Sequence, residues 1–282
     1  MSISEVYATD AKVRWFASEG DVNSKLASII GKKFEEYREK WDAANRFELE
    51  TDFPLFLQLE TNQICNLRCP SCPIGQPEAY AKYISPEKMD WNLYQKIILE
   101  GEKYACPSLE PQGTNEPLLD QNLENYIKFA ADHGFIDIML NTNGTILSEE
   151  RARKFLKSGI TRVRFSLDAA TKETYEHIRV RGKYEKLVRN IEALLDYRNS
   201  RKKKKPLIRL QYVKMKENFH EFEEFKRQWE NKVDVIVGLD YSNRSDVSDR
   251  SVLERVEVGR NYCPEPFRRL MVSSNGEVLM CC

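Results

Sequence analysis

The segment Phe53-Pro-Leu-Phe-Leu-Gln-Leu59 is followed closely by Cys65-Asn-Leu-Arg-Cys69-Pro-Ser-Cys72, which holds three of the chain's seven cysteines. The apolar run predicts a strand, and Pro70 indicates that the cysteines lie on an irregular loop after that strand. Three thiolates on one loop can each bind one iron of a cubane cluster and leave the fourth iron without a protein ligand. The spacing therefore predicts a metal loop, in preference to a set of small buried thiols.

A structural zinc site is the alternative metal centre for this loop. Zinc usually binds four ligands, which often arrive as two C-x2-C pairs. No histidine lies close to the loop in the sequence, since the three histidines are His133, His177 and His220. The loop alone therefore fits an iron–sulfur cluster better than it fits zinc.

The spacing C-x3-C-x2-C directly after a first strand resembles the signature of the radical S-adenosylmethionine (radical SAM) superfamily. The resemblance implies that Cys65, Cys69 and Cys72 hold a 4Fe-4S cluster whose open iron binds the amino and carboxylate groups of S-adenosylmethionine. Cleavage of the sulfonium then gives a 5′-deoxyadenosyl radical, a chemistry that the cofactors supply and the protein positions. Ser71 departs from the family pattern, in which the residue before the last cysteine is often aromatic and packs on adenine.

Composition and termini favour a cytoplasmic enzyme. The charges balance, with 44 Lys and Arg against 44 Asp and Glu, so no net charge favours a nucleic-acid partner. The N-terminal residues lack the basic start and apolar stretch of a signal peptide, and no run approaches the ~18 apolar residues of a membrane span. The odd and clustered cysteines do not resemble a disulfide framework.

Alternation of apolar strand patterns with helical patterns predicts the fold class. Strands are predicted at 54–61, 107–113, 136–142, 162–168, 207–214 and 233–239. Helices are predicted at 86–104, 120–133, 148–158, 171–178, 183–199 and 218–231. This order predicts an α/β fold with a parallel sheet and right-handed crossovers. Six such units correspond to the partial (βα)6 TIM-like barrel that the resemblance implies, with its chemistry at the carboxyl ends of the strands.

The chain is expected to divide into three parts. Residues 1–50 form a polar tail, loosely ordered over about the first 20 residues, followed by a helix at 23–45 whose apolar residues recur at helical spacing. Residues 51–245 form the radical SAM partial barrel. Residues 246–282 begin a small region with a cysteine-bearing hairpin.

Three predicted strands end in segments that resemble the S-adenosylmethionine site of the family. Gly113-Thr-Asn-Glu116 resembles the Gly-Gly-Glu motif, which implies that Glu116 receives the methionyl ammonium. Ser166 would contact the ribose, and Arg179 would pair with the carboxylate through two parallel hydrogen bonds. Asn143, in the turn Thr142-Asn-Gly-Thr145, and Asp168 are further candidates for contact with S-adenosylmethionine.

The C-terminal part contains a second group of cysteines. Cys263 and Cys281 flank Asn275-Gly276, a strong hairpin signal between apolar runs. This arrangement resembles the opening of a SPASM or twitch region, which binds one or two auxiliary 4Fe-4S clusters. Because the sequence given stops at Cys282, where further cysteines are expected, we interpret it as a fragment or the auxiliary site as vestigial. The alternative is a structural hairpin with incidental thiols.

The sequence leaves the substrate open. The resemblance implies hydrogen abstraction from a peptide or protein side chain, or from a sugar or aminocyclitol, with flavodoxin or ferredoxin as the electron donor. An auxiliary cluster would favour dehydrogenation or cross-linking, and its absence would favour epimerisation. RNA is the third substrate class, suggested by the basic run Arg201–Lys205. It ranks last because a short basic run before a strand is more often a solvated connection. A non-catalytic iron–sulfur electron-transfer or binding module is the hypothesis from another class.

Overall fold

The computed structural model describes residues 5–8, 11–17, 22–75, 87–241, 250, 252 and 263–279. The strands are β1 Glu5–Ala8, β2 Ala11–Ala17, β3 Phe56–Leu59, β4 Ser108–Glu110, β5 Asp137–Thr142, β6 Arg162–Ser166, β7 Leu207–Lys214, β8 Val235–Asp240, β9 Arg269–Val272 and β10 Val278–Leu279. The α-helices are α1 Val22–Ile30, α2 Lys32–Asn45, α3 Trp91–Lys103, α4 Leu123–Asp132, α5 Glu149–Ser158, α6 Lys172–Ile178, α7 Tyr184–Ser200, α8 Phe222–Trp229 and α9 Glu265–Arg268.

The ten strands of the described residues belong to one sheet in the order β1-β2-β8-β7-β6-β5-β4-β3-β9-β10. Strands β3 to β8 pair as parallel neighbours in chain order, and helices connect them. In the part of the chain that the structure describes, no ladder joins β10 to β1, so the sheet does not close. The predicted α/β fold with a partial barrel is confirmed.

Two separate hydrophobic cores pack against the sheet. The main core joins side chains of β3 to β8 with those of α3 to α8. A second core packs α1 and α2 against Leu207, Val235 and Val237, which lie at the amino-terminal ends of β7 and β8. Because α1 and α2 cover this end of the sheet, the loops at the carboxyl ends of the strands are the ones left to form a site.

Local signals explain where several helices begin and end. Asp90 accepts hydrogen bonds from the backbone N–H groups of Asn92 and Leu93, so α3 begins at Trp91. The described residues 87–90 of the predicted helix 86–104 are not helical. The predicted single N-terminal helix is two helices, because Gly31 adopts a φ of 86° between α1 and α2. A glycine in this left-handed region ends a helix without steric cost.

The N-terminal segment corrects one prediction. The tail that we expected to be loosely ordered contains β1 and β2, and β2 pairs antiparallel with β8 over Val13 to Ala17. Edge strands present unpaired backbone groups, and β2 satisfies those of β8. None of the helices in the described ranges is long and apolar enough to cross a membrane.

The predicted C-terminal hairpin is confirmed as β9 and β10, which pair antiparallel around the turn that contains Gly276. Strand β9 also pairs parallel with β3, in the register Phe56↔Arg269 to Leu59↔Val272. The hairpin therefore extends the main sheet beyond β3, the strand that precedes the cysteine loop.

Candidate functional site

The cysteine loop follows β3 at the carboxyl end of the sheet, and side chains from later strands and helices contact it. The Nδ2 of Asn143, directly after β5, lies 3.9 Å from the Sγ of Cys65. The Nη1 of Arg179, directly after α6, lies 3.7 Å from the Sγ of Cys69. The backbone N–H of Cys72 donates to the carbonyl of Cys69 at 3.1 Å. The structure therefore brings five of the predicted site residues together.

The thiols lie close enough to influence one another's ionisation. Burial raises the pKa of Cys65 to about 11, partly opposed by the hydrogen bond from the N–H of Leu67. The negative charges of Glu116, Cys69 and Cys72 raise the Cys65 pKa further. Burial also raises the pKa of Cys72. Thiols in such surroundings stay protonated until a metal displaces the proton, because only the thiolate is a metal ligand.

The three thiols lie on one loop at the carboxyl end of the sheet. Each cysteine of a 4Fe-4S cluster binds a different iron, whereas a structural zinc binds its four ligands at one point. Within the described residues, no three Cys, His, Asp or Glu side chains already converge on such a point.

Gly75 packs directly against the backbone of the cysteine loop. A Cβ added at Gly75 would lie 2.1 Å from the carbonyl oxygen of Cys69. We expect Gly75→Ala to lower the iron bound after reconstitution by more than about half, because a backbone atom cannot rotate away from the new methyl group. Iron and sulfide analysis measures this effect.

The control for Gly75→Ala is Gly134→Ala, which strains the backbone at a φ of 88° but brings no atom within 4 Å of the added Cβ. It separates general destabilisation from the local clash at the cysteine loop. Circular dichroism should show that both variants are folded. A Gly75→Ala protein with the iron content of the unmodified chain would contradict the prediction.

Glu116 lies in the loop after β4, and its side chain is hydrogen-bonded to the end of β5. Its carboxylate accepts hydrogen bonds from the Leu118 N–H at 3.0 Å, the Thr142 hydroxyl at 2.6 Å and the Asn143 N–H at 2.7 Å. Burial raises the pKa of Glu116, and the hydrogen bond from Thr142 opposes this. The side chain predicted to receive an ammonium group thus also fixes the turn that carries Asn143.

Asn143 connects its turn to the cysteine loop. Its Nδ2 donates to the Oδ1 of Asn66 at 2.9 Å, and its Oδ1 accepts from the Thr145 hydroxyl at 2.7 Å. The Nδ2 of Asn66 donates to the same Thr145 hydroxyl at 2.9 Å. These bonds fix the Cys65 end of the loop against β5.

The remaining predicted residues lie further from the loop. The Oγ of Ser166, at the end of β6, donates to the Oδ1 of Asn141 at 3.3 Å, and among the described residues no hydrogen bond joins Ser166 to the cysteines. Cys263 is exposed and precedes α9, whose Phe267 packs on Phe47, two residues after α2, at 5.4 Å between ring centroids. Cys281 lies outside the described residues.

Sequence reasoning missed Glu60, which directly follows β3. Its Oε1 accepts from both the N–H and the hydroxyl of Thr114, each at 2.7 Å, and its Oε2 accepts from Gln63 at 2.7 Å. Glu60 is 1% exposed and holds the loop that leads to Glu116. An acidic residue at the carboxyl end of a predicted barrel strand was the signal that could have identified it.

The open parallel sheet and the cysteine loop at its carboxyl end define an α/β protein of the partial-barrel class. The chain belongs to the Radical SAM superfamily, whose family model matches residues 59–229. The cofactors of this family, a 4Fe-4S cluster and S-adenosylmethionine, are therefore the cofactors of this enzyme.

Two curated relatives share part of the chain. A tungsten-containing aldehyde ferredoxin oxidoreductase cofactor-modifying protein of Pyrococcus furiosus is 30% identical over 181 residues, which cover 61% of this chain and 47% of that protein. A GTP 3′,8-cyclase of Desulforamulus reducens is 29% identical over 174 residues, covering 61% of this chain and 50% of that protein. The chain thus spans about half the length of these relatives.

Solved structures support the fold. The crystal structure of Streptococcus suis SuiB matches with a TM-score of 0.59 at 14% identity, over 93% of this chain and 67% of SuiB. A structure of anSMEcpe with bound AdoMet matches with a TM-score of 0.50 at 21% identity, over 62% of this chain and 48% of that protein. At these identities the likeness concerns the fold alone.

Proposed function

We propose that Cys65, Cys69 and Cys72 hold the 4Fe-4S cluster and that S-adenosylmethionine binds beside them. When bound, these cofactors supply a 5′-deoxyadenosyl radical that abstracts hydrogen from an unactivated C–H bond of the substrate. The observation that carries the proposal is the pair of donors aimed at the thiols, Asn143 Nδ2 at Cys65 and Arg179 Nη1 at Cys69. Donors beside metal-ligating sulfur are characteristic of a metal site.

Four side chains would position S-adenosylmethionine. Glu116 would receive the ammonium group, since its two oxygens offer about four acceptor positions and three donors bind them here. Arg179 is a planar guanidinium beside Cys69 and would pair with the carboxylate. Ser166, at the end of β6, would contact the ribose, and Asn143 would orient the turn between them.

We propose a peptide or protein side chain as the substrate. The fold shared with SuiB, which has been crystallised with the precursor peptide SuiA, supports this class. A sugar or aminocyclitol remains the second substrate class from the sequence. Flavodoxin or ferredoxin would deliver the electron, and the reducing cytoplasm would keep the thiols available for the cluster.

We further propose that residues 246–282 begin an auxiliary-cluster region to which Cys263 and Cys281 contribute. The exposure of Cys263 supports this role, because a cluster ligand must be reachable by iron and by further thiols. A completed auxiliary cluster would accept an electron from the substrate radical, so that the product is oxidised.

Production of 5′-deoxyadenosine tests the proposed function. Anaerobically reconstituted protein should release it from S-adenosylmethionine when dithionite is added, and should release none when dithionite is left out. A non-catalytic iron–sulfur module would show cluster absorption near about 400 nm without the nucleoside. That result would overturn the enzyme proposal, and iron-free reconstituted protein would overturn the cluster assignment.

A further inference from the structure

Arg179 lies between a carboxylate and a cysteine thiol. Its Nη2 donates to the Oδ2 of Asp168 in a salt bridge, and its Nη1 faces the Sγ of Cys69 at 3.7 Å. Burial lowers the pKa of Arg179, but Asp168 and Cys69 outweigh this, so the net pKa is raised and the guanidinium stays charged. A fixed positive charge therefore lies beside one predicted ligand of the cluster.

The surroundings of Asp168 fix the position of its carboxylate. Its backbone has a φ of 56°, in the left-handed region that a non-glycine residue adopts only when its surroundings hold it there. Its Oδ1 accepts from the Val213 N–H at 2.7 Å, and its carbonyl accepts from the Nδ2 of Asn218 at 2.8 Å. Asn218 is fully buried and also accepts from the Met215 N–H at 2.6 Å. The end of β7 thus fixes the position of the guanidinium.

Tyr175 supplies a second polar group at this corner. Its side chain is fully buried, and its hydroxyl has no hydrogen-bond partner among the described residues. Tyr175 lies one helical turn before Arg179, on α6, and its hydroxyl packs beside Gly182. Burial raises the pKa of Tyr175, and the charge of Arg179 opposes this. A buried hydroxyl without a partner is unfavourable, and such an arrangement requires an explanation.

We propose that Arg179, held by Asp168, and the hydroxyl of Tyr175 polarise the Cys69 corner of the cluster and raise its reduction potential. The inference rests on the proposed function and adds an electrostatic role for Arg179, Asp168 and Tyr175. Reduction adds one negative charge to the cluster, and a nearby positive charge or hydrogen-bond donor stabilises the reduced form. Hydrogen bonds to cluster sulfur and net charge are established determinants of such potentials.

The charges on Arg179 and Asp168 have opposite signs, so their removal should shift the potential in opposite directions. Arg179→Gln removes a positive charge beside Cys69 and should lower the midpoint potential. Asp168→Asn removes the neighbouring negative charge but keeps an amide oxygen that can accept from Arg179, so it should raise the potential. Arg179→Lys keeps the charge and should restore a potential close to that of the unmodified chain.

The hydroxyl of Tyr175 is tested with a matched pair. Tyr175→Phe removes the buried hydroxyl without a partner one helical turn before Arg179 and should lower the potential. Tyr184→Phe removes a hydroxyl that donates to the Ala170 carbonyl at 2.9 Å, on a ring whose centroid lies 5.7 Å from that of Tyr175. It should leave the potential unchanged.

The experiment is a potentiometric titration of each reconstituted full chain with dithionite and mediators, monitored by electron paramagnetic resonance without S-adenosylmethionine. Leaving out that cofactor separates the potential from any role of Arg179 in binding it. Iron-loaded Arg179→Gln and Asp168→Asn proteins that shift in the same direction, or not at all, would overturn the inference and leave the proposed function intact.

If Asp168→Asn does not assemble a cluster, Arg179→Lys and Tyr175→Phe decide the question. A Tyr175→Phe potential equal to that of the unmodified chain, or an Arg179→Lys potential as low as that of Arg179→Gln, would contradict the inference. A wild-type chain that binds no iron would overturn the proposed function itself.

Discussion

Cys69→Ala is expected to abolish both the cluster absorption near about 400 nm and the release of 5′-deoxyadenosine. Cys69 is the buried member of the three loop cysteines and the one that Arg179 faces. Loss of an outer hydrogen-bond partner alone typically costs 10–100-fold in metal affinity or activity, so loss of a ligand should reduce nucleoside release at least ~100-fold. Chromatographic quantification of the nucleoside and iron analysis measure the two effects.

The matched control for Cys69→Ala is Cys106→Ala. Cys106 is also buried, but its thiol lies 3.7 Å from the Ser108 carbonyl, and burial raises its pKa to about 12. Its removal should leave the absorption and the nucleoside unchanged. Retained cleavage of S-adenosylmethionine in Cys69→Ala would refute the assignment of this cysteine as a cluster ligand.

Glu116→Ala is expected to lower the free energy of unfolding of the metal-free chain by about 3–5 kcal/mol. The substitution leaves the donors of Leu118, Thr142 and Asn143 without their acceptor in a buried site. Each buried unsatisfied donor costs about 1–3 kcal/mol. Urea unfolding followed by circular dichroism measures the difference.

Two further variants sharpen the Glu116 experiment. Glu116→Gln keeps one carbonyl oxygen as an acceptor and should lose less stability than Glu116→Ala. Glu223→Ala removes a carboxylate from an exposed position of α8 and should change the stability by less than about 0.5 kcal/mol. A loss of less than about 1 kcal/mol in Glu116→Ala would show that these hydrogen bonds do not stabilise the turn.

The sequence predicted the central strands and the cysteine loop because their signals are local. Strands β3 to β8 lie within the predicted runs or one residue beyond them, since continuous apolar segments bounded by turn residues are typical of buried parallel strands. The N-terminal strands were missed, since the short segments 5–8 and 11–17 contain polar residues that resemble a tail. These strands form by pairing with the edge of β8, which is distant in sequence, so a local sequence pattern does not predict them.

The contacts of the candidate site were less predictable. Arg179 and Cys69 are 110 residues apart in sequence, and the motif around Arg179 does not reveal that its guanidinium faces a thiol. The resemblance suggested Arg179 as a partner for a carboxylate, and in the structure its partner is Asp168. Tyr175 has an ordinary helical position, so only its buried hydroxyl without a partner marks it.

An open sheet is prone to self-association, because each outer strand presents backbone groups that another molecule can pair with. Here both flanks end in short antiparallel strands, the four residues of β1 and the two residues of β10. Shortened versions of the chain that stop before Arg269 would remove β9, the partner of β3. They would expose the edge of β3, the strand that precedes the cysteines, to pairing with other molecules and so promote aggregation. Expression studies should therefore retain the hairpin.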